Sequence, residues 1–296
     1  MSKTSSLLCA LLCTFIWGTT FIAQDTGMDG IGPFTFNAVR FFIGFLAIIP
    51  LVFLFELKKF KSEFKLDFKA FVILSFLIGI SLFLGSALQQ VALLYTDVAN
   101  AAFFTIFYVP MVPIIIFLFK KKSIHWSVWP SVVLCLVGGY LLTNFQDATV
   151  RLGDNLVILG ALFWSTHIIF TGIIVKKYDL PLTIGAIQTL IVALFSFIIA
   201  SIYEEFIFEN ILKEIDSILY AGILSGGFAF VLQIYAQKNI TPAPAAIIFS
   251  LEGVFATVAA WFLLNQILGI NNLLGCFFIL CGVLLSQLLP ILKKTT

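Results

Sequence analysis

The stretch Pro242–Gln266, PAPAAIIFSLEGVFATVAAWFLLNQ, decides how this chain is read. It is apolar over a length that crosses a bilayer, yet a carboxylate, Glu252, stands near its middle. A charge at that depth costs about 2.5–3.5 kcal/mol on insertion scales, so it faces protein or water rather than lipid. An earlier stretch, Val98–Lys122 (VANAAFFTIFYVPMVPIIIFLFKKK), follows the same pattern with Tyr108 in the place of Glu252. A membrane helix that occurs twice, with an acid in one copy only, frames the rest of the chain.

Composition agrees. Hydrophobic residues make up 61% of the chain and charged residues 11%, with mean hydropathy +1.10. Soluble domains carry about 25% charged residues, so the class is a polytopic membrane protein. The net charge of +2 is spread between apolar runs and implies no nucleic-acid partner. The five cysteines lie inside apolar runs without a C-x-x-C or Cys/His cluster, and read as small hydrophobes. Neither a cofactor nor a metal is expected. The N-terminal MSKTSSLLCALLCTFIW resembles a signal peptide but lacks a prompt small-x-small cleavage site, so it reads as an uncleaved first span.

Apolar runs of the length needed to span about 30 Å fall at 5–23, 33–55, 68–94, 98–119, 126–143, 155–175, 181–201, 217–236, 243–264 and 271–289. The expected fold is therefore all-α, with ten transmembrane helices. Most connections are short and marked by Gly, Pro, Asn or Asp. Two are longer: the lysine-rich Glu56–Lys69, and the acidic Tyr203–Asp216, whose apolar spacing suggests a short amphipathic helix along the membrane surface. Fourteen of the 17 Lys and Arg residues precede span 1, follow spans 2, 4, 6 and 8, or close the chain. Only Arg151 and Lys213 lie on the other side, and Arg40 lies within span 2. The positive-inside rule places both termini in the cytoplasm, and a plasma membrane, of bacterial inner-membrane type, is the expected location.

The chain also repeats itself. Phe15-Ile16-Trp17-Gly18 resembles Leu162-Phe163-Trp164-Ser165, Phe34-Thr35-Phe36-Asn37 resembles Leu182-Thr183-Ile184-Gly185, and Gly139-Tyr140-Leu141-Leu142 resembles Gly282-Val283-Leu284-Leu285. Similarity at a fixed spacing marks a repeated unit. Residues 1–146 and 147–296 are read as two five-span copies. Five is odd, so the second copy inserts upside down, and the lysine distribution independently says the same. Oppositely oriented halves characterise secondary transporters, whose substrate binds near the midplane between the repeats.

The run Phe249-Ser250-Leu251-Glu252-Gly253-Val254-Phe255-Ala256, followed by Ala260-Trp261-Phe262-Leu263-Leu264, together with Trp17-Gly18-x-x-Phe21-Ile22, resembles the drug/metabolite transporter superfamily, EamA type. The resemblance covers the chain as two tandem units. It implies ten helices and carriage of a small polar metabolite, such as an amino acid or related solute, often outward. The chain departs from the family pattern in having Gly253 where Pro is common after the Glu, and Leu264-Asn265-Gln266 where Leu-Gly-Glu is common.

Within the spans, polar residues mark a candidate pathway. Glu252 is a protonatable group for coupling, or an acid that fixes packing. Arg40 lies about 10 Å into span 2. It snorkels, or it turns inward to hold a substrate carboxylate bidentately, and its repeat mate Gln188 favours the inward reading. His167 follows Trp164 by about one turn, as a packing residue or a proton relay. Trp17 and Trp164 recur across the halves and either wall a cavity or fill the core. Gln89, Asn100, Tyr108 and Gln233 add uncharged donors and acceptors, which face one another or a wet cavity. Gly222-x-x-x-Gly226 permits close helix contact, and the motif alone sets no oligomeric state.

No H-E-x-x-H, G-x-S-x-G or G-x-x-x-x-G-K-[ST] motif is present, which argues against an enzyme or a phosphate-driven pump. A channel or a transmembrane sensor is the competing class, and short connections leave little room for a selectivity loop. Small-molecule substrate and lipid are the expected partners.

Overall fold

The computed structural model describes residues 2–63, 67–120, 124–143, 151–263 and 267–292. The expected boundary between the copies at 146/147 lies outside them, as do the Leu264-Asn265-Gln266 run and Lys65, Lys121, Lys122, Lys293 and Lys294. The ten spans are helices: α1 Lys3–Thr26, α2 Pro33–Phe60, α3 Phe68–Ala92, α4 Val98–Phe119, α5 Val128–Leu142, α6 Leu152–Lys177, α7 Pro181–Tyr203, α8 Ile215–Gln237, α9 Pro242–Leu263 and α10 Ile270–Leu289. Nine of them are long and apolar enough to cross a membrane, and α5 is a shorter apolar helix. No strand occurs among the described residues. Many large apolar side chains point outward, among them Leu54 (73% exposed) and Phe119 (82%). That is the surface lipid requires and water penalises. Between α7 and α8 a short helix, Phe208–Lys213, tucks Ile211 against Ile31 and Phe36 at the end of the bundle.

Packing follows the repeat. α2 lies along α7 and α5 along α10, each pair made of matching spans. The remaining contacts exchange in pairs: α3 with α6 mirrors α8 with α1, α2 with α8 mirrors α7 with α3, and α1 with α9 mirrors α6 with α4. Gly222 and Gly226 belong to this framework. A Cβ on Gly222 would sit 2.7 Å from the Arg40 carbonyl oxygen, so this motif packs α8 on α2 within one chain.

The α2–α7 pair is tied at both ends. At one end the Glu56 carboxylate accepts the Leu182 and Thr183 backbone N–H groups at 2.9 and 2.8 Å and the Thr183 hydroxyl at 2.8 Å. At the other, Glu204 accepts the Phe34 and Thr35 N–H groups at 2.9 and 2.7 Å and the Thr35 hydroxyl at 2.7 Å. Each acid thus satisfies orphan donors at a helix N-terminus, where the macrodipole also favours negative charge. Pro33 and Pro181 begin these helices at the one position where a missing N–H costs nothing.

Both α4 and α9 are broken near their middles. In α4, regular helix covers Val98–Thr105 and resumes at Tyr108; in α9 it covers Pro242–Phe249 and resumes at Leu251. The causes differ. Pro110 has no N–H to give the Ile106 carbonyl, which instead accepts from Val109 at 2.8 Å. In α9 no proline stands at the break, but the Ser250 hydroxyl donates back to the Ile247 carbonyl at 2.7 Å, and Gly253 N–H donates to the Ser250 carbonyl at 3.2 Å. A Ser–Gly pair does here what Pro does in the other copy.

Candidate functional site

The two breaks present Tyr108 and Glu252 to each other. The Tyr108 hydroxyl donates to Glu252 Oε1 at 3.1 Å. α1 packs tightly against the same turn: a Cβ on Gly18 would stand 2.6 Å from the Glu252 carbonyl oxygen. Glu252 is 6% exposed, and that remnant opens into a cavity of about 50 Å³, enough for a few water molecules.

Arg40 lines the same cavity from α2. It does not snorkel. It is 3% exposed, its Nε donates to Asn37 Oδ1 and its Nη1 to Gln24 Oε1, both at 2.8 Å. Its guanidinium also lies over the Phe41 ring, 4.8 Å from the centroid. Two charge-assisted hydrogen bonds contribute about 3–6 kcal/mol together, which matches or exceeds the ~2.5–3.5 kcal/mol insertion cost. The charge is therefore held without a counter-ion: among the described residues Arg40 forms no salt bridge, with Glu252 or any other acid. The rest of its five N–H donors lack a protein acceptor in the described residues.

Aromatic rings close the cavity. Phe230 lies between the two tryptophans, stacked on Trp164 at 6.2 Å with an interplanar angle of 6°, and tilted against Trp17 at 5.1 Å. Trp17 Nε1, Trp164 Nε1 and Gln233 Oε1, all from cavity-lining residues, are buried without a partner among the described residues. An unpaired buried polar atom costs about 1–3 kcal/mol. Two donors and an acceptor left open around one cavity suit a polar occupant.

Of the sequence-predicted residues, Glu252, Arg40, Trp17, Trp164, Gln89, Tyr108 and Gln233 converge on this cavity. Gln89 is steadied by its Nε2 donating to Thr105 Oγ1 at 2.9 Å. His167 and Gln188 do not line it. They pair with each other at 3.0 Å, and the His167 ring stands edge-on to Phe230 at 5.8 Å, behind the aromatic wall. Asn100 lies instead in a second cavity of about 1030 Å³ at the face opposite the lysine-rich one. Phe21 borders both cavities. Sequence reasoning missed Gln24, which accepts from Arg40 and, through its carbonyl, from Gln90 Nε2 at 2.9 Å. The apolar run 5–23 stops one residue short of it. The spacing Trp17, Thr20, Gln24 (i, i+3, i+7) places all three on one helix face and was the available signal. No group of three or more His, Cys, Asp or Glu residues able to hold a metal occurs among the described residues.

Comparison with known proteins gives a consistent picture. The model of the EamA-like transporter family matches twice, at residues 4–144 and 151–288. An uncharacterized transporter of Archaeoglobus fulgidus is 32% identical over 94% of this chain and 84% of its own length. The uncharacterized transporter YoaV of Bacillus subtilis is 25% identical over 92% of this chain and 93% of its own. A solved crystal structure superposes with a TM-score of 0.81 at 17% identity, over 99% of this chain and all of that one. The chain belongs to the EamA-like transporter family and is a multi-pass membrane protein.

Proposed function

We propose that this family member is a secondary carrier that moves a small zwitterionic metabolite, of the amino-acid kind, by alternating access. The observation that carries the reading is the pairing of unlike groups in one cavity. Arg40 offers free donors for a carboxylate, Glu252 an acid for an amino group or a proton, and the tryptophans and Gln233 that line the same cavity carry unpaired indole N–H groups and an amide oxygen. Broken helices meeting at a midplane site between repeats are the construction found in secondary carriers. Phe21 then separates the site from the larger vestibule. The lysine distribution orients the vestibule outward, with both termini in the cytoplasm of a bacterial-type plasma membrane, and the family resemblance favours export.

Proteoliposomes preloaded with single amino acids and related metabolites test this. The expected result is saturable flux of one solute class, stimulated by the same solute on the far side. Flux that rises linearly with concentration would sink the carrier reading in favour of a channel, and no flux of any solute would favour a sensor.

A further inference from the structure

The two faces of the bundle are closed very differently. At the lysine-rich face Asp179, in the α6–α7 connection, pairs with both Lys59 at the end of α2 and Lys238 just past α8. Around it, Lys177 pairs with Asp67 at 2.9 Å, the Tyr178 hydroxyl donates to the Asp67 carbonyl at 2.8 Å, and Asn239 Nδ2 donates to Ser6 Oγ at 2.9 Å. These contacts join α1, α2, α3, α6 and α8 at one end. Beneath them runs a buried polar track: Gln233 Nε2 donates to Gln237 Oε1 at 3.3 Å, and Gln237 Nε2 to the Ile168 carbonyl at 2.8 Å. The track starts at the central cavity and ends below the ion cluster.

The opposite face has the 1030 Å³ vestibule instead. The positions that the repeat equates with Asp179 and Lys238 are Ile31 and Leu94, neither of which can carry charge. Among the described residues the one ion pair there, Arg151 with Asp97, ties α6 to the start of α4 and lines the vestibule rather than sealing it.

We infer that Lys59–Asp179–Lys238 is an ionic latch that holds the lysine-rich face shut and biases the protein toward the conformer open to the other face. The latch serves the carrier proposed above and rests on that reading. Lys238 first, then Lys59, hold the Asp179 carboxyl below the usual carboxylate range, so the latch is fully charged at neutral pH. All three side chains are partly exposed. Each pair is then modest in strength and screened by salt, which makes the latch a bias and not a lock.

Thiol labelling reads the conformer without reference to any substrate. In a background with the five native cysteines replaced by alanine, Gln237→Cys reports the buried track and Asn100→Cys the vestibule. With a membrane-impermeant maleimide, adding Asp179→Asn is expected to raise labelling of Gln237→Cys from the lysine-rich face about three- to tenfold and to slow labelling of Asn100→Cys from the other. Asp179→Glu should keep the parental rates. Raising NaCl to 1 M on the parent, with Asp179 intact, should move both rates in the same direction as Asp179→Asn. Unchanged rates in both the Asn variant and high salt would overturn the latch, whatever the flux assays show. Shifted rates without flux of any solute would keep the latch and remove the carrier.

Discussion

The pairs α2–α7 and α4–α9 relate the same two halves, but they treat the repeat in opposite ways. In the first pair the likeness reaches single atoms. Glu56 and Glu204 stand 148 positions apart, as do Pro33 and Pro181, and each acid accepts two backbone N–H groups and a threonine hydroxyl from the mate. In the second pair the breaks coincide at a spacing of 144, yet one copy places Tyr108 and the other Glu252 where the two meet. Under the carrier proposed above, the ties that both end states would share are symmetric to the hydrogen bond, and the proposed coupling site is not.

Arg40 offers the largest effect with which to break this comparison, since it is the second asymmetric group in the cavity. Arg40→Met should lower transport of a carboxylate-bearing solute by about 100-fold or more, the loss of two charge-assisted hydrogen bonds at ~1.5–3 kcal/mol each. Flux per folded molecule in proteoliposomes is the measurement, and wild-type flux would remove Arg40 from the site. Next comes the acid itself. Glu252→Gln keeps an acceptor for the Tyr108 hydroxyl while removing the titration, so transport should lose its dependence on pH and the thermal midpoint should hold. A variant whose flux still follows pH would show that coupling lies elsewhere.

The symmetric pair makes the complementary test. Glu56→Gln should destabilise by about 2–3 kcal/mol and Glu204→Gln by about 1 kcal/mol, since an amide leaves donors unpaired and only Glu56 is fully buried. Thermal unfolding in detergent reads both, and the double variant should be additive because the acids sit at opposite ends. A smaller effect belongs to Tyr108→Phe, which deletes one hydrogen bond to the acid, worth about 0.5–1.5 kcal/mol. It should shift the midpoint of the pH–flux profile without abolishing it.

Much of this was legible from the residues. Ten apolar runs and their turn residues located the helices, and the repeat spacing named which spans are mates. Seven of the ten residues singled out line one cavity, where the charged and amide groups among them find polar neighbours away from lipid. His167, Gln188 and Asn100 fell elsewhere for a physical reason. Depth along a span is readable from sequence, but rotation about the helix axis is set by neighbours that sequence does not order. Glu56 and Glu204 were passed over as the edges of charged connections, although their spacing of 148 matched that of the two Pro-x-Thr helix starts. The break in α9 was hidden because the expected proline is absent, and Ser250 with Gly253 replaces it.

The end ties of α2 and α7 also set an order on biosynthesis. Glu56 leaves the ribosome 126 residues before the first backbone N–H that it will accept, at Leu182. At about 5–20 residues per second that interval is on the order of ten seconds. For that time the first half carries an acid at its membrane edge with no partner, and the N-terminus of α2 waits longer still, 170 residues, for Glu204. The two copies read as separate units along the chain, but neither is finished until the other has been made.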